Sequence, residues 1–217
     1  MITTRWTRLS AVAAAGALAV SMAACSSTGS SGSPAKSSTP TMGSSPSTEA
    51  MTSQTFGTAC AKVPSDPTNP GSFQAMAQAP VATAASGNPL LSTLVTAVKK
   101  AGLVNTLNGL QSATVFAPTN DAFAKIPKAT LDKVLADKAT LTKILTYHVI
   151  AGPQLSPENL TTAPLKSVES STVKVTGSGT DYTVNGNAKV LCGNVQTSNA
   201  RVYIIDSVLM PPAMTKK

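Results

Sequence analysis

Ionisable chemistry is scarce in this chain. Its 217 residues hold one histidine, nine acidic side chains and three cysteines, and charged residues make up only 12%. Asp66, Asp121, Asp132 and Asp137 are dispersed rather than paired, which leaves neither a general acid/base couple nor a metal-ligand spacing. No Gly-x-Ser-x-Gly elbow accompanies His148, so Ser-His-Asp chemistry lacks its nucleophile turn. Cys-x-x-Cys is missing too, which argues against a zinc or thioredoxin-like site. Basic residues outnumber acidic ones, giving a net charge of +8, but the lysines pair only at Lys99-Lys100 and Lys216-Lys217. Without a basic stripe interleaved with aromatics, nucleic acid is not an expected partner. The composition points away from catalysis, and no metal or cofactor is expected. The excess charge suits weak, salt-dependent attraction to acidic glycans or headgroups.

No apolar run is long enough to span a membrane. Arg5 and Arg8 precede Leu9 to Val20, an apolar stretch that fits a secretory leader instead, so residues 1–24 read as a signal peptide. Ser21-Met-Ala-Ala-Cys25 is similar to a lipobox, with Met22 where an aliphatic residue is usual; this predicts acylation of Cys25, the alternative being a plain secretion signal cleaved near Ala24. Residues 25–54 then read as a tether. Between Ser26 and Thr48 all but Ala35, Lys36 and Met42 are Ser, Thr, Pro or Gly, too little apolar surface to offset ordering entropy. Flexible-chain statistics give such a tether a reach of about 30 Å. Thr39, Thr41 and Thr48 sit near prolines and are candidate O-glycosylation sites. The expected location is the outer face of the cytoplasmic membrane, held by lipid, or the medium after shedding.

Residues 55–217 are enough for one domain. With Cys25 lipidated, Cys60 and Cys192 remain as an even pair in an oxidising compartment, and a disulfide between them is expected. Closing so long a loop would stabilise the fold by about 4 to 5 kcal/mol. The alternatives are two buried free thiols or a redox pair, and neither is favoured.

The domain turns on Thr114 to Phe123. Val115 and Phe116 suit a strand that Pro118 must end, and Thr119 can cap the helix that follows. Before it, an apolar segment spans Met76 to Ala85. Asn88-Pro89 then opens a helix over Leu90, Leu91, Leu94, Val95 and Val98, stopped at Gly102. Beyond it, Asp137 caps a helix on which Leu141, Ile144, Leu145 and His148 share one face. His148 therefore points to the core and needs partners, for which Asp121 and Asp206 are the candidates. This polar network is expected to lock the fold rather than to act chemically. The last third alternates with period two. Asn185-Gly186 marks a hairpin turn, and Val202 to Met210 reads as one long central strand interrupted by Asp206. The fold class is α+β, helices first and strands after.

Three stretches carry a family resemblance: Thr114-Val-Phe-Ala-Pro-Thr-Asn-Asp-Ala-Phe123, Tyr147-His148-Val149, and Val202 to Pro211. In this order they resemble the signatures of the fasciclin domain, and the whole arrangement is similar to the single-domain fasciclin lipoprotein antigens of actinobacteria. The resemblance implies a β-wedge of two sheets with helices packed along one edge. It also implies cell adhesion, with integrins, matrix proteins or glycans of a host or neighbouring cell as partners. The family's Tyr-His adhesion motif falls on Ile144, Leu145, Tyr147, His148, Val149 and Ile150, half of which helical spacing would bury. The family's Asp-Ile pair is replaced by Asn194-Val195, which removes a carboxylate that integrin recognition uses. A monomer is expected. The other readings are a binder of lipid or an apolar small molecule in a cleft between helices and wedge, and a structural envelope protein.

Overall fold

The computed structural model describes residues 55–215. The expectations for the leader, Cys25, the tether with Thr39, Thr41 and Thr48, and the Lys216-Lys217 tail lie outside these residues.

Helices fill the first half. Ser72 caps α1 (Phe73–Gln78) by accepting from Ala75 N, and Pro80 precedes α2 (Val81–Gly87). The apolar segment around Met76 is thus two short helices, broken where proline cannot donate. The Asn88 side chain accepts from Leu90 N over the turn Pro89–Leu91. α3 (Ser92–Ala101) follows, ended by Gly102 at φ 75°, a left-handed conformation that costs glycine least. α4 (Val104–Asn108) leads to β1 (Ala113–Pro118), buried along its whole length. Thr119 then caps α5 (Asn120–Ala124), α6 (Lys128–Ala136) follows, and Asp137 caps α7 (Lys138–Tyr147).

Strands fill the second half: β2 (Val149–Ala151), β3 (Leu165–Lys166), β4 (Thr172–Val173), β5 (Val175–Ser178), β6 (Asp181–Val184), β7 (Ala188–Gln196) and β8 (Ala200–Ile205), then a terminal turn of helix, α8 (Pro212–Thr215). Their order is β2-β1-β8-β7-β6-β5, with β3 and β4 as a separate ribbon. β1 and β8 run parallel, while the other paired strands are antiparallel. β7 joins two halves of the larger sheet: Ala188 and Lys189 pair with β6, whereas Val190 to Gln196 pair with β8 through two shifts of register. Such bulges bend a strand and raise its twist, which lets the sheet curl over itself.

Side chains alternating along β1 and β8 build a core on each face. Val115, Ala117, Val202 and Ile204 meet the helices. Phe116, Tyr203 and Ile205 meet Tyr147, Tyr182 and Val184 inside the curl. The result is the α+β arrangement of two sheets in a wedge with helices against one side. β8, however, stops at Ile205 rather than Met210. The next N–H, of Asp206, still reaches Lys189 O at 3.0 Å, but that of Leu209 turns away to a side chain.

The N-terminal segment is clamped onto β7. Cys60 and Cys192 form a disulfide with Cα atoms 4.9 Å apart. Phe56 and Gly193 exchange backbone hydrogen bonds of 3.3 and 2.8 Å, and the Phe56 ring lies 5.3 Å from that of Tyr182. That ring occupies the space a Cβ on Gly193 would need. Gly193→Ala is therefore expected to displace Phe56 and to destabilise the domain by about 1 to 3 kcal/mol, read as a lower urea midpoint at unchanged slope.

Candidate functional site

The Tyr-His junction sits where α7 hands over to β2. Ile144, Leu145, Tyr147, His148, Val149 and Ile150 are all buried, none more than 5% exposed. Helical spacing alone would bury half. The helix ends at Tyr147, and beyond it Val149 enters the helix-side core while Ile150 enters the curl, so both faces of β2 are covered.

His148 has both ring nitrogens engaged. Leu209 N donates to Nε2 at 2.9 Å, which fixes the proton on Nδ1, and Nδ1 donates to Ile144 O at 2.8 Å. Burial pushes this imidazole down to about 4, only partly offset by the Ile144 carbonyl, so it is neutral at ordinary pH. Asp121 and Asp206 are not its partners. Asp121 is exposed in the first turn of α5. The Asp206 carboxylate accepts from Lys125 Nζ at 3.0 Å, Lys189 N at 2.8 Å and the Ser207 hydroxyl at 3.0 Å. Partial burial pushes Asp206 up, but those donors outweigh it and hold it below the usual range. His148 does lock elements together, α7 to the segment after β8, through backbone groups rather than carboxylates.

Tyr147 holds the opposite side. Its hydroxyl donates to Thr172 O at 3.0 Å and accepts from Asn185 Nδ2 at 2.8 Å, tying α7 to β4 and to the β6–β7 turn. Burial raises its phenol, the Asn185 bond opposes that, and the Glu169 charge adds to it.

Between β3 and β4 the chain makes a tight turn against β2. Val168 N donates to Val149 O at 2.8 Å, the Ser167 hydroxyl to Ser171 O at 2.8 Å, and Ser170 takes a φ of 76°. Val168 is 42% exposed at its tip, and among the described residues it shares large apolar exposure with Met214 alone. Beside it Glu169 is half-buried, with Oε2 buried and without a hydrogen-bond partner. Sequence reasoning missed this turn, because two-residue strands leave no periodic trace. Asn194-Val195, by contrast, is buried in a bulge of β7, with Asn194 at φ 63°.

A second feature lies on the helix side. An apolar cavity of about 130 Å³ is walled by α2, α3 and α4 and floored by Val115, Val202, Leu145 and His148. Its walls are held from a distance: Asn199 Oδ1 accepts from Val81 N at 2.9 Å, and its Nδ2 lies 3.0 Å from Leu107 O and from Leu110 O. Asn108 Oδ1 accepts from Ala82 N at 3.0 Å. These two amides satisfy N–H groups at the start of α2 that no local cap reaches. Asn199 was also missed, since one asparagine in a polar Ser198-Asn199 turn looks like any other.

With three signatures folded onto β1, the Tyr-His junction and β8, the family comparison is decisive: the fasciclin domain model matches residues 89–211. The chain belongs to the fasciclin family. Among fasciclin relatives, it is 49% identical over 170 residues to the immunogenic protein MPB70 of Mycobacterium bovis, covering 76% of this chain and 86% of that one. To the cell surface glycolipoprotein MPB83 of the same species it is 44% identical over 214 residues, 94% of this chain and 96% of that one. Protein sll1483 of Synechocystis is 41% identical over 136 residues, covering 59% and 71%. The fasciclin signatures thus coincide with the junctions that hold the fold: a strand-to-helix cap, a tyrosine-histidine lock and the central parallel strand.

Proposed function

We propose that this fasciclin domain is a surface-held adhesion module that binds a protein or glycan of a neighbouring or host cell through the β3–β4 turn. One observation carries the reading. The Tyr-His motif is wholly buried, its Val149 carbonyl accepts from Val168 N of this turn and its Tyr147 hydroxyl donates to Thr172 O at the foot of the turn, and the turn presents exposed Val168. The motif holds the binding surface and does not touch the partner. Val168 beside Glu169 gives the turn an aliphatic contact next to a carboxylate, a pairing that an integrin-like receptor or a matrix protein can use and that Asn194-Val195 lacks. MPB83 is a cell surface glycolipoprotein, and likeness to it over nearly the full chain supports export and anchoring through lipid on Cys25. Catalysis has no place in this reading.

The test is saturable binding of the purified protein to cultured mammalian cells, repeated after protease and after glycosidase treatment to separate protein from glycan partners. Val168→Asp is expected to weaken binding about tenfold or more at an unchanged melting temperature, the effect of removing a central apolar contact and placing a charge there. Undiminished binding by that variant would contradict the assignment.

A further inference from the structure

The cavity beneath α2, α3 and α4 is independent of the Val168 surface, and its chemistry selects a ligand class. Its lining is almost entirely aliphatic, from Val81 on α2 through Val95 and Val98 on α3 to Leu107 on α4. At about 130 Å³ it is close in size to an apolar protein cavity of about 150 Å³ that stays dry and takes benzene. A long acyl chain exceeds it; one ring or a short alkyl tail fits. The imidazole and hydroxyls that line it already have partners: both nitrogens of His148 are engaged, the Thr197 hydroxyl donates to Ala200 O, the Ser86 hydroxyl donates to Thr83 O, and Thr83 Oγ1 accepts from Asn108 Nδ2. The rim adds a charge. Lys99, in the last turn of α3, lines the cavity and is exposed, and the one salt bridge among the described residues, Lys125 to Asp206, leaves it without a carboxylate. A helix C-terminus beside it gives the site no anion affinity of its own, so discrimination rests on the ammonium.

We propose that this cavity binds small amphipathic carboxylates, short-chain alkyl or arylalkyl acids, with the apolar tail inside and the carboxylate at Lys99. Burying the tail against the aliphatic walls supplies the affinity, and the ammonium sets the preference for an acid over the matching alcohol.

The experiment titrates the purified protein with hexanoate and with hexanol, followed by calorimetry and by the methyl resonances of Val95 and Leu107. Both probes are expected to bind and to shift those methyls. Ala85→Leu, which fills the cavity from α2, is expected to weaken both about tenfold or more while leaving cell binding unchanged, so this proposal and the adhesion reading fail separately. In Lys99→Ala the affinity ratio of hexanoate to hexanol is expected to fall about three- to fivefold at low salt, and wild-type protein should show the same fall at high salt. Absence of binding by both probes, or methyl shifts elsewhere than the cavity, would overturn the site. An unchanged ratio in Lys99→Ala would overturn the carboxylate assignment.

Discussion

Breaking the Cys60–Cys192 disulfide is expected to lower the unfolding free energy by about 4 to 5 kcal/mol. The bond spans a sequence separation of 132 residues and so closes nearly the whole domain into one loop. By the chain-entropy relation, a loop of that length removes much of the freedom of the unfolded chain. It also acts locally. The 3₁₀ turn Thr58–Lys62 and the Phe56–Gly193 bridge are pinned to β7 beside it, and the Phe56 ring shields Tyr182 and Tyr203. For a domain of this size the loss corresponds to a fall of about 10 to 15 °C in melting temperature, measured on the Cys60→Ala, Cys192→Ala double variant or after reduction. A fall of less than 3 °C would show that the clamp stands without the bond.

Replacing His148 is expected to cost about 3 to 4 kcal/mol. The Ala variant leaves the buried Leu209 N–H and the Ile144 carbonyl without the ring, and enlarges the cavity that His148 floors. Acid should have the same target. The folded-state value near 4 lies below the ordinary 6.5 of an unfolded chain, so the unfolded state binds the extra proton first. Stability is therefore full above about pH 6.5 and declines as pH falls toward 4, by about 1.4 kcal/mol per unit within that window. Protonation makes Nε2 a donor facing the Leu209 N–H, two donors in contact, which is the structural form of the same statement. Asp206, Asp137 and Asp66 are held below the carboxylate range and contribute to acid sensitivity only at lower pH. Urea unfolding at pH 7.5, 6 and 5 checks this. His148→Gln, which keeps an acceptor without titrating, is expected to flatten the slope between pH 6.5 and 5; an equal slope in both proteins would refute the role of His148.

What the sequence disclosed was local chemistry. Gly102 ends α3, Thr119 and Asp137 cap their helices, and Asn185-Gly186 turns the hairpin, because each acts on backbone within a few residues; Asn88-Pro89 caps only the 3₁₀ turn Pro89–Leu91, and α3 itself starts at Ser92. The burial of His148 was legible from spacing, but its partners were not. A backbone N–H can satisfy an imidazole as well as a carboxylate can, and which one is free depends on where β8 ends. Reading Val202 to Met210 as one strand assigned the Leu209 N–H to a ladder that stops at Ile205. Asn199 was hidden for a related reason, since its bonds cross from the turn before β8 to α2 and α4, about 90 to 120 positions away. The turn at Val168 was hidden because its exposure follows from the curl of the sheet, not from any pattern in Ser167 to Ser171.

The central claim is that the buried Tyr-His junction holds a binding surface and that the surface itself is the Val168 turn. The most direct measurement is a cell-binding isotherm for wild type, Val168→Asp and His148→Gln, each normalised to its folded fraction. The account predicts that Val168→Asp melts like wild type and loses binding, while His148→Gln melts lower and binds normally per folded molecule. Full binding by Val168→Asp together with loss of binding by folded His148→Gln would contradict it.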